Sequence, residues 1–95
     1  MAGTALITGG AIRVGRAITL GLADAGLRVV VHYHSSAAPA EQLVAEIRDR
    51  GGEAAAVQAD LGQHEEVLRL ADLAEEPFGG IDVLVNNASI FPDAG

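Results

Sequence analysis

Apolar residues along this 95-residue chain fall into two alternating kinds of spacing. Thr4-Ala5-Leu6-Ile7-Thr8 is a compact apolar run that stops at Gly9-Gly10, the pattern of a short buried strand. Val14, Ala17, Ile18, Gly21, Leu22 and Ala25 then recur at the spacing of one helix face, and Gly26 stands where a left-handed C-terminal cap belongs. Arg28 to Tyr33, carrying Val29-Val30-Val31, predicts a second strand. Ser35-Ser36 leads into Pro39, a first-turn proline, and then a helix that turns Leu43, Val44 and Ile47 inward and ends at Gly51-Gly52. Ala54 to Ala59 predicts a third strand. Gln63 to Glu76 predicts a third helix, with Val67, Leu70, Ala71 and Ala74 on one stripe and Glu65 and Glu66 at its electropositive start. Pro77 and Gly79-Gly80 close that helix before a fourth strand over Ile81 to Val85.

Strands alternating with helices of this length require right-handed crossovers, which give parallel strands in one sheet with helices on both faces. The fold class is therefore α/β: a doubly wound parallel sheet, of which these four strands form the first half in the order 3-2-1-4. Residues 1–95 read as the N-terminal part of a single domain, since no linker, repeat or low-complexity tract interrupts them.

Composition then narrows the function classes. A net charge of -7, from six basic and thirteen acidic residues, disfavours nucleic acid and anionic membranes as partners. With no cysteine there are no disulfides, thiol nucleophiles or thiolate zinc sites. No apolar run reaches the roughly eighteen residues of a membrane span, and no basic-then-apolar leader opens the chain. The expectation is a soluble cytoplasmic protein acting on a small molecule.

The chemistry concentrates where strands end. Between the first strand and helix lies Thr8-Gly9-Gly10-Ala11-Ile12-Arg13-Val14-Gly15. A glycine-bearing turn from strand to helix offers backbone N–H groups and a helix dipole to a pyrophosphate. Gly9 would permit the tight turn, and Gly15 a close approach of the helix to the sheet. The second strand ends in His32-Tyr33-His34-Ser35-Ser36 without an acid. An acid there would hold the 2′-hydroxyl of NAD and repel the 2′-phosphate of NADP. Hydroxyl donors, an imidazole and Arg13 opposite would instead welcome that phosphate, so the cofactor inferred is NADPH. His32 and His34 share a strand face and could bind metal, but no third ligand stands close in sequence. His32 reads as ordinary strand packing, His64 as a solvent-facing helix residue, and no metal is expected. Asp60 could accept a hydrogen bond from an adenine amino group or order the turn before the third helix. Asn87 could bridge backbone groups of neighbouring strands or meet the ligand, and Ser89 and Phe91 would open onto the same crevice. Glu65 and Glu66 read as a solvated helix face.

Taken together, Thr8-Gly9…Gly15, Asp60-Leu61 and Asn86-Asn87-Ala88 resemble the short-chain dehydrogenase/reductases, whose Rossmann-type sheet has the order given above. The family's common loop has glycine where this chain has Arg13, and glycine again where it has Ser89. Both departures resemble the pteridine reductase branch, as do His32-Tyr33-His34-Ser35-Ser36 and Asn86-Asn87-Ala88-Ser89. The resemblance implies that Gly9, Arg13, Val14 and Tyr33 bind the cofactor, with Arg13 near its phosphates, and that His34, Ser35 and Ser36 surround the 2′-phosphate of NADPH. It implies further that Asp60 and Leu61 contact the adenine, and Asn87 and Ala88 the ribose side. Ser89 would touch both cofactor and pterin, Arg13 would also reach the pterin, and Phe91 would stack on its ring. Some members carry arginine at the position of Ser35, so selectivity for NADPH is expected to be softer here.

Reduction in that family depends on a Tyr-x-x-x-Lys helix, the tyrosine donating a proton and the lysine lowering its pKa. Tyr33 is the only tyrosine in this chain and there is no lysine, so none of its residues is assigned as catalytic. The sequence reads as the N-terminal half of a longer enzyme, a homotetramer by resemblance. Two readings follow: an NADPH-dependent oxidoreductase reducing a pterin or another carbonyl substrate, or a non-catalytic nucleotide-binding module.

Overall fold

The computed structural model describes residues 3–87. Along them run β1 (Thr4–Thr8), α1 (Arg13–Asp24), β2 (Arg28–Tyr33), α2 (Ala37–Asp49), β3 (Ala54–Gln58), α3 (His64–Glu75) and β4 (Val83–Asn86). The strands form a four-stranded sheet in the order β3-β2-β1-β4, with every neighbouring pair parallel, as the alternation of elements predicts. Ile7 at the centre sits opposite Val31 on one side and Val85 on the other.

Successive strand residues point to opposite faces, and the two faces are covered separately. Ala5, Ile7, Val29 and Val31 pack under Leu43, Val44 and Ile47 of α2, flanked by Ile18 and Leu22 of α1. Leu6, Val30 and Val57 pack under Leu70 and Ala74 of α3 on the other face. Burial on both sides explains why β1 and β2 read as continuous apolar runs with no polar alternation.

The helix faces differ from their predicted stripes. In α1, Val14, Ala17, Gly21 and Ala25 are exposed, while Gly15 and Thr19 are buried. Thr19 is the residue that an apolar count overlooks. Its hydroxyl lies 2.8 Å from the Gly15 carbonyl and 3.1 Å from the Gly10 carbonyl, so the buried polar group is satisfied. In α3, Leu70 and Ala74 are buried but Val67 and Ala71 are exposed, because this helix meets the sheet along a narrow line.

The fourth strand begins at Val83, two residues later than Ile81. The Thr4 N–H donates to the Asp82 carboxylate at 2.8 Å, and the Asp82 N–H donates to the Thr4 carbonyl at 2.8 Å. A side chain thus takes over the start of the ladder. Gly26 has φ +97° and caps α1 in the left-handed conformation, as expected. Among the described residues, no helix is long and apolar enough to cross a membrane.

Candidate functional site

Because the strands are parallel, their carboxyl ends and the helix N-termini that follow them gather at one edge of the sheet. The segments after β1, β2, β3 and β4 there are Gly9–Ile12, His34–Ser36, Ala59–Gln63 and Asn87. Every predicted site residue within 3–87 lies at this edge; Ala88, Ser89 and Phe91 lie outside the described residues.

Gly9 turns the chain out of β1 with φ +61°, the left-handed value that its sequence role requires. Gly15 allows a close approach, and it is the loop that approaches. A Cβ on Gly15 would run into the Gly9 carbonyl oxygen, and would lie 2.7 Å from Asn87 Nδ2 and 2.9 Å from Gly10 Cα. Between them, Arg13 also has a left-handed backbone, with φ +54°. An L-residue there is strained. Val14 is 66% exposed beside it, which suits the ligand role read from the loop and not the inward helix position read from periodicity.

The first-turn N–H groups of a helix have no partner within the helix. Among the described residues, neither α1 nor α2 has a side-chain cap hydrogen bond or an acidic residue in its first turn. α3 differs, since its first turn carries Glu65 and Glu66. The electropositive part of the edge therefore lies at α1 and α2, where Arg13, His34, Ser35 and Ser36 cluster in sequence around two uncapped helix starts. His34 and Ser35 are exposed and Ser36 is half-buried. Tyr33 turns its ring toward the α1 and α2 face, where it packs against the core.

The Asp60 turn has the ordering geometry. Asp60 Oδ1 accepts the Gly62 N–H at 3.0 Å, while Oδ2 lies 3.8 Å from His34 Nε2. Leu61 packs beneath it on the α3 side. Asn87 takes the bridging geometry. Its N–H donates to Thr8 Oγ1 at 2.9 Å, and its Nδ2 donates to the Gly9 carbonyl at 3.1 Å, tying the exit of β4 to the glycine loop.

Two readings from the sequence change. His32 is not ordinary strand packing. The ring is buried, its Nδ1 accepts the Gly9 N–H at 2.9 Å, and its Nε2 lies 2.8 Å from the Ala59 carbonyl. With both nitrogens engaged, it is removed from any metal pair with His34. Burial lowers its pKa, the Ala59 hydrogen bond partly offsets this, and the His34 ring adds a smaller lowering. Glu66 is likewise more than a solvated acid. It accepts the Asp60 N–H at 3.3 Å and two bonds from Arg69, which also donates to the Gln58 carbonyl at 2.8 Å. The Arg69 guanidinium, aided by the Asp60 N–H, holds the Glu66 carboxyl down to about 2. The sequence signal available was spacing, with Glu66 three residues after the Gln63 cap and Arg69 three further on.

Comparison with known proteins follows this geometry. The model of the family described as short chain dehydrogenase matches residues 3–95. A 3-oxoacyl-[acyl-carrier-protein] reductase from Synechocystis sp. is 47% identical over 89 residues, covering 94% of this chain and 36% of the relative. The crystal structure of FolM alternative dihydrofolate reductase 1 from Brucella canis, complexed with NADP, superposes with a TM-score of 0.87 at 43% identity, covering 94% of this chain and 36% of that one. A putative dehydrogenase from Burkholderia cenocepacia with bound NADP has a TM-score of 0.84 and 42% identity, covering 90% of this chain and 33% of that one. The chain thus spans about a third of the length of the proteins it matches.

Proposed function

The chain belongs to the short-chain dehydrogenase family, and on that premise we propose that it forms the cofactor-binding part of an NADPH-dependent reductase acting on a pterin of the dihydropteridine kind. The observation that carries the cofactor reading is the distribution of charge along the carboxyl edge. Two uncapped helix starts without first-turn acids, Arg13, and a β2 end without a carboxylate form a donor set that fits a pyrophosphate and a 2′-phosphate. Gly9, Arg13 and Val14 would hold the pyrophosphate side, and His34, Ser35 and Ser36, which follow Tyr33, the 2′-phosphate. Asp60 and Leu61 would hold the adenine, Asn87 and Ala88 the ribose side, and Ser89 would touch both cofactor and pterin. NADPH supplies the hydride when bound. Two of the similar solved structures were crystallised with NADP, which adds support.

The pterin reading rests on Arg13, Ser89 and Phe91 and on the resemblance to the Brucella dihydrofolate reductase. Reduction of another carbonyl substrate is a second reading, favoured by the Synechocystis relative. We read the intact protein as a cytoplasmic homotetramer, which light scattering on the purified protein tests.

Titration of the intact protein with NADPH and NADH tests the cofactor, with NADPH expected to bind at least about tenfold more tightly through its extra charged contacts. Equal affinity overturns the phosphate role of Arg13 and Ser36. Phe91→Ala tests the substrate: KM for a dihydropteridine should rise, and an unchanged KM overturns the stacking role. Turnover needs the Tyr-x-x-x-Lys pair that these residues lack. An intact mass of 9.7 kDa would therefore leave a nucleotide-binding module without catalysis.

A further inference from the structure

His32 joins three strand ends at once. Its carbonyl accepts the Gly10 N–H at 3.1 Å while its ring accepts the neighbouring Gly9 N–H at 2.9 Å, so two consecutive amides of the glycine loop bond to one residue of β2. On the other side its Nε2 lies 2.8 Å from the Ala59 carbonyl, next to Asp60. An amide can only donate and a carbonyl can only accept. The two partners therefore select one neutral tautomer, with Nδ1 bare and Nε2 protonated. In this arrangement the Gly9 and Gly10 N–H groups are both taken by His32, and the first-turn N–H groups of α1 are the ones without a partner inside the helix.

We infer that His32 is a positioning residue for the dinucleotide: as the neutral Nε2–H tautomer it sets the spacing between the glycine loop and the Ala59–Leu61 turn. The inference rests on the cofactor reading above. It accounts for a polar ring, 2% exposed, directly after the three buried valines of the strand. A leucine would fill similar volume but leave a donor and an acceptor unpaired in a protected place, and the loop would shift to find water. Protonation would set a ring N–H against the Gly9 N–H, so the arrangement requires the uncharged ring. The charged or titratable groups nearest this region in the fold are His34 just after β2, Asp60 in the β3–α3 turn, Glu66 in the first turn of α3 and Arg13 at the start of α1, while the β1 and β4 ends present neutral Thr8, Asn86 and Asn87.

The test compares His32→Leu with His32→Asn in the intact protein. The asparagine carbonyl can stand near the position of Nδ1 and keep the Gly9 bond, while its short side chain gives up the Ala59 bond. NADPH affinity should fall at least about tenfold in the leucine variant and by less than about threefold in the asparagine variant. Circular dichroism checks that each variant is folded. Equal affinities in the two variants overturn the inference, whether both are weakened or neither is. If the leucine variant does not fold, two measurements on the wild-type ring replace it. Long-range 1H–15N spectra at neutral pH should show the Nε2–H tautomer, and a ring protonated on Nδ1 overturns the inference. Affinity for NADH, which lacks the titrating 2′-phosphate, is then followed in a His34→Gln background as the pH falls from about 7 to about 5. Binding should weaken in step with ring protonation, which the same spectra follow and which burial places below the ordinary histidine value of 6.5; a ring that protonates while binding stays unchanged overturns the inference. Failure of the wild type to bind either dinucleotide would instead sink the cofactor reading, with the ring tautomer still readable in the spectrum.

Discussion

At the glycine loop, contacts run mainly to backbone atoms and are buried or half-buried. Asn87 reaches the Gly9 carbonyl, Thr8 takes the Asn87 N–H, Thr19 lies against the Gly10 and Gly15 carbonyls, and His32 takes the Gly9 N–H. At the β3–α3 turn, ionisable side chains that water can reach make the contacts. They meet one another, Glu66 with Arg69 and His34 near Asp60, and they meet backbone, Glu66 with the Asp60 N–H and Arg69 with the Gln58 carbonyl. The first arrangement depends on shape and on leaving no buried group unpaired. The second depends on charge and is weakened by solvent and salt. The glycine loop is thereby set by side chains bonded to its backbone, whereas the β3–α3 turn is held by a network that can give.

The strongest way to break that comparison is Gly15→Ala. The new methyl would overlap the Gly9 carbonyl and crowd Gly10 Cα, both backbone atoms that cannot swing away. Overpacking of this kind costs about 3 kcal/mol or more where the backbone must shift. Urea denaturation should show a loss of that size, or no cooperative transition at all. A loss well under about 1 kcal/mol would mean that the loop is as compliant as the turn.

Thr8→Val comes next. Valine keeps the volume but strands the Asn87 N–H that Thr8 Oγ1 accepts at 2.9 Å. The expected cost is roughly 1–3 kcal/mol, with Thr8→Ser recovering most of it. If serine fails to recover stability, the methyl group and not the hydroxyl matters at this position.

Fold and site were legible to different depths. Parallel order could be read because Leu6, Val30 and Val57 on one face, and Ile7 and Val31 on the other, keep strands apolar throughout, and because each strand hands over to a helix. The glycine loop was legible because a positive φ at Gly9 and contact at Gly15 leave few other residues possible. The inward face of α1 was misread, since Thr19 counts as polar until its two carbonyl neighbours are known. His32 was misread for the same reason: a buried imidazole looks like packing until both of its partners, 23 and 27 residues away, are in place. Glu66 showed only the spacing, because its bond to the Asp60 N–H depends on how the turn folds back.

Arg13→Gly separates stability from binding within the rigid loop. Relief of the left-handed strain at φ +54° is worth roughly 1–2 kcal/mol, and the extra freedom of glycine in the unfolded chain takes back about 0.5–1 kcal/mol. The variant should be more stable than wild type by about 0.5–1 kcal/mol, while its affinity for NADPH falls with the loss of the positive charge. If stability falls as well, Arg13 holds the loop by contacts and not only the ligand by charge.

The smallest effect belongs to the turn, through Glu66→Gln. Glutamine keeps the shape and an oxygen for the Asp60 N–H, and it removes the charge facing Arg69. The Glu66 carboxyl falls from 4.5 to about 2 on folding, so the unfolded chain takes up the proton first as the solution is acidified. Its stabilisation is complete above 4.5 and is lost as the pH falls toward about 2. Wild type should therefore exceed the variant slightly at neutral pH, the gap should close across that window, and added salt should narrow it at any pH within the upper part. Amide exchange at Asp60 should quicken in the variant while exchange at Gly9 stays unchanged. A gap that persisted at pH 2, or a Gly9 amide that quickened along with Asp60, would join the two regions mechanically and dissolve the distinction between a loop set by backbone contact and a turn held by charge.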